Sequence, residues 1–171
     1  MRRETGCPEG EGLLEYVDSL ASLDEQEAAL AVIHRHELAG AEQATWMPGA
    51  EALLARLCAR GIPMAILTRN SREVSRLTLE RLDCPIDFLV CREDAPPKPD
   101  PSGLLMIASR WDIQAGELAY IGDFRFDIEA ANRAGMRSVL YLQDKNRSYA
   151  AKAALCFEHF EELEALLFRP S

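Results

Sequence analysis

From residue 62 onward, short apolar runs alternate with segments of helical period, and this alternation restricts the fold more than any other feature of the chain. Ile62–Leu67 (IPMAIL), Asp87–Cys91 (DFLVC), Leu118–Ile121 and Val139–Leu142 are too short for helices and almost continuously apolar. Such runs read as strands buried on both faces. Between them lie helical patterns over about 71–82, 102–111 and 127–134, and a last helix is expected over 159–168. Leu155–Phe157 reads as a short fifth strand. Asn70 and Glu73 stand in capping-box spacing, and Asp100-Pro101 resembles an N-cap followed by a first-turn proline. Gly135 sits where a left-handed C-cap is expected. Strand–helix repetition of this kind requires right-handed crossovers and a parallel sheet covered on both sides. The expected fold class is therefore α/β, with a Rossmann-like parallel sheet.

Residues 11–43 follow a different pattern and read as two amphipathic helices. The first carries Leu13, Leu14, Val17 and Leu20; the second is expected to start at Asp24, with Glu27 as its capping-box partner. Gly40 to Pro48 forms a connector, and Pro48 then sits near the first turn of a helix presenting Leu53, Leu54 and Leu57. The expected organisation is a small helical unit, residues 1–44, ahead of an α/β unit, residues 45–171.

Composition narrows the partners. The 171 residues hold 19 Lys and Arg against 28 Asp and Glu, a net charge of −9. A field of that sign disfavours nucleic acid, and no basic run suggests an anionic membrane surface. No stretch approaches the roughly 18 apolar residues of a membrane-spanning helix, and the polar start MRRETG lacks the apolar core of a signal peptide. Five cysteines without a CxxC pair fit neither a disulfide framework nor a thiolate zinc site, so they read as small core residues in a reducing compartment. A soluble cytoplasmic protein is expected, and its oligomeric state is left open.

In parallel α/β sheets ligands bind beyond the carboxyl ends of the strands, and three places there combine polar groups. The strand 62–67 delivers Thr68-Arg69-Asn70 to a helix N-terminus, where a hydroxyl and backbone N–H groups suit an anion. Strand 118–121 delivers Gly122-Asp123, with Asp127 four residues on; two carboxylates so spaced can face one Mg²⁺ ion. Lys98, stiffened by the prolines of PPKPDP, can neutralise phosphate charge. Each also has a plain reading: Thr68 as a strand-end hydroxyl, Lys98 as a solvated surface amine, Asp127 as a helix cap. The joint pattern, in order and at strand ends, is what favours a site. His34 and His36 diverge on a helix, and His159 lies beside an acidic terminal helix, so none of the three is expected to bind metal.

Taken together, these segments resemble the haloacid dehalogenase superfamily of phosphatases, near its phosphoglycolate-phosphatase-like branch. Residues 48–71 (PGAEALLARLCARGIPMAILTRNS) resemble its helix–strand–Thr segment. Thr68 matches its second motif, Lys98 its third, and Gly122-Asp123-Phe124-Arg125-Phe126-Asp127 its fourth, GDxxxD. The likeness covers about residues 45–142, and residues 11–43 fall where the family carries a helical cap. It implies Mg²⁺ held by Asp123 and Asp127, and a small phosphorylated metabolite bound by Thr68, Arg69, Asn70 and Lys98. It further implies catalytic roles for Thr68, Lys98, Asp123 and Asp127 in hydrolysing a phosphomonoester.

The chain departs from the family in one respect. The family's first motif, an apolar strand followed by DxDxT, supplies the nucleophilic aspartate and the general acid/base, and these 171 residues contain no such motif. Asp18 and Asp24 lie within or beside helices, and MRRETGCPEG cannot form an apolar strand. Without the nucleophile the chain is expected to be catalytically inactive, a pseudo-enzyme holding Mg²⁺ weakly or not at all. The alternatives are an active phosphatase with further N-terminal sequence, or a non-catalytic phosphate-binding or interaction protein. The missing strand is central in the resembled fold, so its absence leaves two parallel edges unpaired. Those edges must close on each other, take another segment between them, or be completed by further N-terminal chain.

Overall fold

In the computed structural model, which describes residues 1–168, eight α-helices and five strands follow the expected alternation. They are α1 (Arg2–Thr5), α2 (Leu13–Ser19), α3 (Leu23–Glu42), α4 (Ala50–Ala59), β1 (Ala65–Leu67), α5 (Arg72–Arg81), β2 (Phe88–Val90), α6 (Ser102–Trp111), β3 (Ala119–Gly122), α7 (Arg125–Ala134), β4 (Arg137–Tyr141), β5 (Leu155–Phe157) and α8 (Phe160–Leu167). Short 3-10 helices occupy Ala115–Glu117 and Asp144–Lys152. No helix among these residues is long and apolar enough to cross a membrane.

Several boundaries differ from the sequence expectation, each for a local reason. The run from Ile62 forms strand only from Ala65, because Pro63 offers no N–H and Ile62 stays exposed. Helix α3 begins one residue after Ser22, so Asp24 lies in its first turn rather than at the cap, where its charge still complements the helix dipole. Ser71, not Asn70, caps α5: its Oγ accepts from the Val74 N–H at 3.3 Å. Pro101 is the residue preceding α6, yet the Asp100 carboxylate does accept from the Ser102 N–H at 2.8 Å. Gly135 ends α7 with φ 73°, as its composition predicts. All five cysteines are free; Cys7 and Cys91 are buried, while Cys58 is exposed, contrary to the expectation of a core role.

The strands form two parallel sheets instead of one. In the first, β1 pairs with β2; in the second, the order is β3-β4-β5. Strands β1 and β3, expected to flank the missing central strand, neither close on each other nor take another described segment between them. A groove of about 1060 Å³ lies there instead, walled by both strands and lined by apolar side chains of α4, α6 and α8. Two main hydrophobic clusters are present, and the first spans this division. One joins Leu67, Val90, Leu104, Ile107 and the buried alanines of α7; the other joins Leu53, Val139, Phe157 and Leu163. A third, smaller cluster holds α2 to α3 through Val17, Ala29 and Ile33. Helix α3 also packs on α5, with the Glu37–Arg92 pair at 3.1 Å beside that contact.

Candidate active site

Lys98 joins the two sheets. The loop that carries it is tied down at several points: the Cys91 N–H donates to Asp94 at 2.7 Å, the Asp100 N–H to the Pro97 carbonyl, and Arg133 to the Pro99 carbonyl at 3.1 Å. From there the Lys98 Nζ reaches the Asp127 Oδ1 at 2.7 Å, the Tyr120 hydroxyl at 2.9 Å and the Leu67 carbonyl at 3.3 Å. Its three protons thus have three acceptors. The side chains are 13% and 8% exposed for Lys98 and Asp127, so this is a largely desolvated pair, stabilised by its hydrogen bonds rather than by Coulomb attraction alone. The Tyr120 hydroxyl also lies 3.2 Å from the Leu67 carbonyl and 3.3 Å from Asp127. Burial, and then the Asp127 carboxylate, push the Tyr120 phenol well above its usual pKa, so it remains a proton donor.

The second carboxylate oxygen of Asp127 accepts from the N–H groups of Asp123 (3.1 Å) and Phe124 (2.9 Å). It therefore caps the entry to α7 as well as pairing with Lys98. Gly122 makes this possible, since a Cβ there would collide with the Cβ and Cγ of Asp127. Asp123 leads outward, to Lys145 at 3.2 Å. Its carbonyl accepts from Asn146, whose amide also donates to the Tyr141 carbonyl, both at 2.8 Å.

Thr68 follows Leu67 directly, so it stands at the same end, and its Oγ accepts from the Asn70 N–H at 3.1 Å. The expected cluster of free N–H groups there is largely occupied: the Arg72 N–H donates to Glu93 and the Val74 N–H to Ser71. Arg69 turns towards α2, donating to Glu15 at 2.9 and 3.3 Å, and its guanidinium lies 4.8 Å from the Phe126 ring centroid. The structure thus brings Thr68, Arg69, Lys98, Asp123 and Asp127 to one end of the strands, and most of their polar groups already have protein partners.

Four participants were not singled out from sequence. Tyr120 is concealed within an apolar strand, and nothing marks its hydroxyl as part of the site. Asn146 and Lys145 follow β4 and could have been flagged by the same strand-end rule that found Asp123. Glu15 is distant in sequence from Arg69 and carries no signal. The three histidines lie elsewhere, His34 beside Glu73 at 3.5 Å and His36 beside Glu4 at 2.6 Å. Among the described residues no group of three His, Cys, Asp or Glu side chains is placed to hold a metal ion. As arranged, the donors do not fit tight Mg²⁺ coordination, because both Asp127 oxygens are engaged and Asp123 offers one exposed carboxylate.

Comparison with known proteins sets this geometry in context. The model of the haloacid dehalogenase-like hydrolases matches residues 7–141. A haloacid dehalogenase-like hydrolase domain-containing protein of Arabidopsis thaliana is 33% identical over 135 residues, covering 78% of this chain and 55% of that protein. Phosphoglycolate phosphatase of Escherichia coli K12 is 34% identical over 105 residues, covering 58% and 41%. The chain thus spans about half the length of the curated relatives it matches. Among solved structures, β-phosphoglucomutase of Clostridium difficile superposes with a TM-score of 0.75 at 22% identity, over 92% of this chain and 76% of that one. A hydrolase of Pseudomonas syringae does so with a TM-score of 0.76 at 23% identity, over 93% and 76%.

Proposed function

Since the chain belongs to the haloacid dehalogenase-like hydrolase family, we propose that it carries the phosphate-recognising end of a Mg²⁺-dependent phosphomonoester phosphatase and that these 171 residues alone do not catalyse turnover. The observation that carries this reading is the saturation of the site. Lys98 bonds Asp127, Tyr120 and Leu67, and Asp127 caps the α7 turn. A phosphate entering here can take the Thr68 hydroxyl as donor, but it must compete with Asp127 for Lys98. Covalent phosphoryl transfer needs a free, activated nucleophile, and neither carboxylate at this end is placed as one. Asp123 and Asp127 are the Mg²⁺ ligands of the proposal, and with only these two the ion is held weakly. The substrate class is a small phosphorylated metabolite.

Calorimetric titration with Mg²⁺ and an aryl-phosphate hydrolysis assay, both repeated on Asp123→Asn, test the proposal. The expected result is binding weaker than millimolar and no metal-dependent turnover. Micromolar Mg²⁺ binding that is lost in Asp123→Asn would show the site complete as it stands. Turnover lost in the same variant would overturn the inactive reading outright.

A further inference from the structure

Between the carboxylates of Asp123 and Asp127 stand Phe124, Arg125 and Phe126. Asp127 fixes this turn by accepting from the N–H groups of Asp123 and Phe124, and the three side chains line a cleft of about 280 Å³. Arg69, next to Thr68, lines it too, with Tyr149 and residues 10–13. Arg2 shapes that last segment, donating to the carbonyls of Pro8 at 2.8 Å and Glu11 at 2.7 Å. The cleft therefore lies directly beside the strand ends that deliver Thr68 and Asp123.

Its lining combines aromatic surface with positive charge. Phe124 is 46% exposed and meets Phe126 and Tyr149 edge-on, with ring centroids 5.2 and 6.0 Å away. Aromatic surface left open in this way accepts another flat ring. The Phe126 ring has two guanidiniums against it, Arg69 at 4.8 Å and Arg125 at 4.5 Å from its centroid. Two cations held at one ring repel each other, and a shared anion relieves that repulsion. Arg125 is exposed and, among the described residues, has no carboxylate partner. The Arg69 Nε is buried without a hydrogen-bond partner. The other two nitrogens of Arg69 donate to Glu15 at 2.9 and 3.3 Å, so the chain itself shows that a planar carboxylate suits this guanidinium. Three arginines line the cleft against one acidic side chain, Glu11, in a chain of net charge −9.

We propose that this cleft binds the leaving group of the phosphorylated metabolite, that this group is a flat ring bearing a carboxylate, and that Phe124, Arg125 and Arg69 select it. This rests on the phosphatase reading, under which the phosphate group sits at Thr68 and the ring extends from it into the cleft. The ring stacks on Phe124, and the carboxylate is shared by Arg125 and Arg69. Glu15 competes for Arg69, so the ligand displaces a carboxylate that the protein supplies.

Titrations of the whole chain, followed by the ring resonances of Phe124, Phe126 and Tyr149, distinguish the cleft from the phosphate end. Benzoate and cyclohexanecarboxylate probe the cleft alone; 4-phosphonobenzoate, which has no ester bond to hydrolyse, probes both together. Benzoate should bind at least threefold more tightly than cyclohexanecarboxylate, and should weaken at least fivefold in Phe124→Ala and in Arg125→Gln. Glu15→Gln, which releases Arg69, should tighten benzoate at least threefold, and no tightening would overturn the carboxylate assignment. 4-Phosphonobenzoate should bind at least tenfold more tightly than benzoate, and Thr68→Val should remove that gain while benzoate binds as before. Equal binding of benzoate and cyclohexanecarboxylate, measured on the unaltered protein, would overturn the ring. Benzoate binding indifferent to Phe124→Ala and Arg125→Gln would overturn the proposal as a whole. A benzoate site as expected, with no gain from the phosphonate, would instead overturn the phosphatase reading and leave the cleft a site for aromatic carboxylates.

Discussion

At the scale of single residues, Lys98 and Asp127 form a pair whose members are each costly to leave alone. Lys98→Met should destabilise the chain by about 3 kcal/mol, because it strands a largely buried carboxylate. Lys98→Met combined with Asp127→Asn should recover part of that loss, and urea titration of the four-member cycle measures the coupling. Additive effects would mean that the pair contributes nothing beyond its separate bonds. Asp94 allows a pH prediction. The Cys91 N–H, and with it the Arg72 guanidinium, hold its carboxyl below the usual range. A depressed folded-state pKa stabilises the protein above the unfolded value, near 4, and that contribution disappears as pH falls through the folded pKa. Asp94→Asn should therefore lower stability at pH 7 by about 1 kcal/mol and flatten the loss between neutral pH and pH 3. Denaturation midpoints across that range check it, and parallel curves for the two proteins would exclude the assignment.

At the scale of elements, caps decide where helices start, and the start of α5 sets the direction of Thr68-Arg69-Asn70. Ser71 holds the Val74 N–H and also accepts, through its carbonyl, the Ser75 hydroxyl at 2.8 Å. Ser71→Ala should cost about 1 kcal/mol, whereas Asn70→Ala should cost only a few tenths. Thermal unfolding of the two variants separates them, and the reverse order would restore Asn70 as the cap. Sequence reasoning missed this by one residue because both side chains are competent caps. The backbone chose Ser71, with φ −65° and ψ 158°, as it left the strand. The end of α7 was legible, by contrast, since glycine has little competition at a left-handed position.

At the scale of the whole molecule, two hydrophobic clusters are distinct although one of them spans the divided sheet. Leu53 belongs to the cluster under β4 and β5, and Val90 to the one that runs from β1 and β2 through α6 to the alanines of α7. Leu53→Ala should cost about 3 kcal/mol and Val90→Ala roughly 2 kcal/mol. Their effects should sum within about 0.5 kcal/mol, as for sites without shared contacts. Denaturant unfolding of the double variant tests this; a coupling above 1 kcal/mol would mean the cores act as one across the groove.

By itself the sequence determined the alternation of strands and helices, the parallel direction of pairing, and which strand ends deliver polar groups. These follow from period, length and end signals, all local properties of the chain. The places of Thr68 and Asp123 after apolar runs, of Lys98 in a proline-stiffened loop and of Asp127 at a helix start were legible for the same reason. Only the tertiary structure decided how those groups are used. Which acceptor Lys98 meets depends on Tyr120 and Leu67 arriving from different strands, and whether Asp127 faces outward or caps its own helix depends on the close approach at Gly122. Two unpaired edges were expected from the resemblance, but that they neither close on each other nor take another described segment between them is a property of the assembled fold, because it depends on each strand's neighbours.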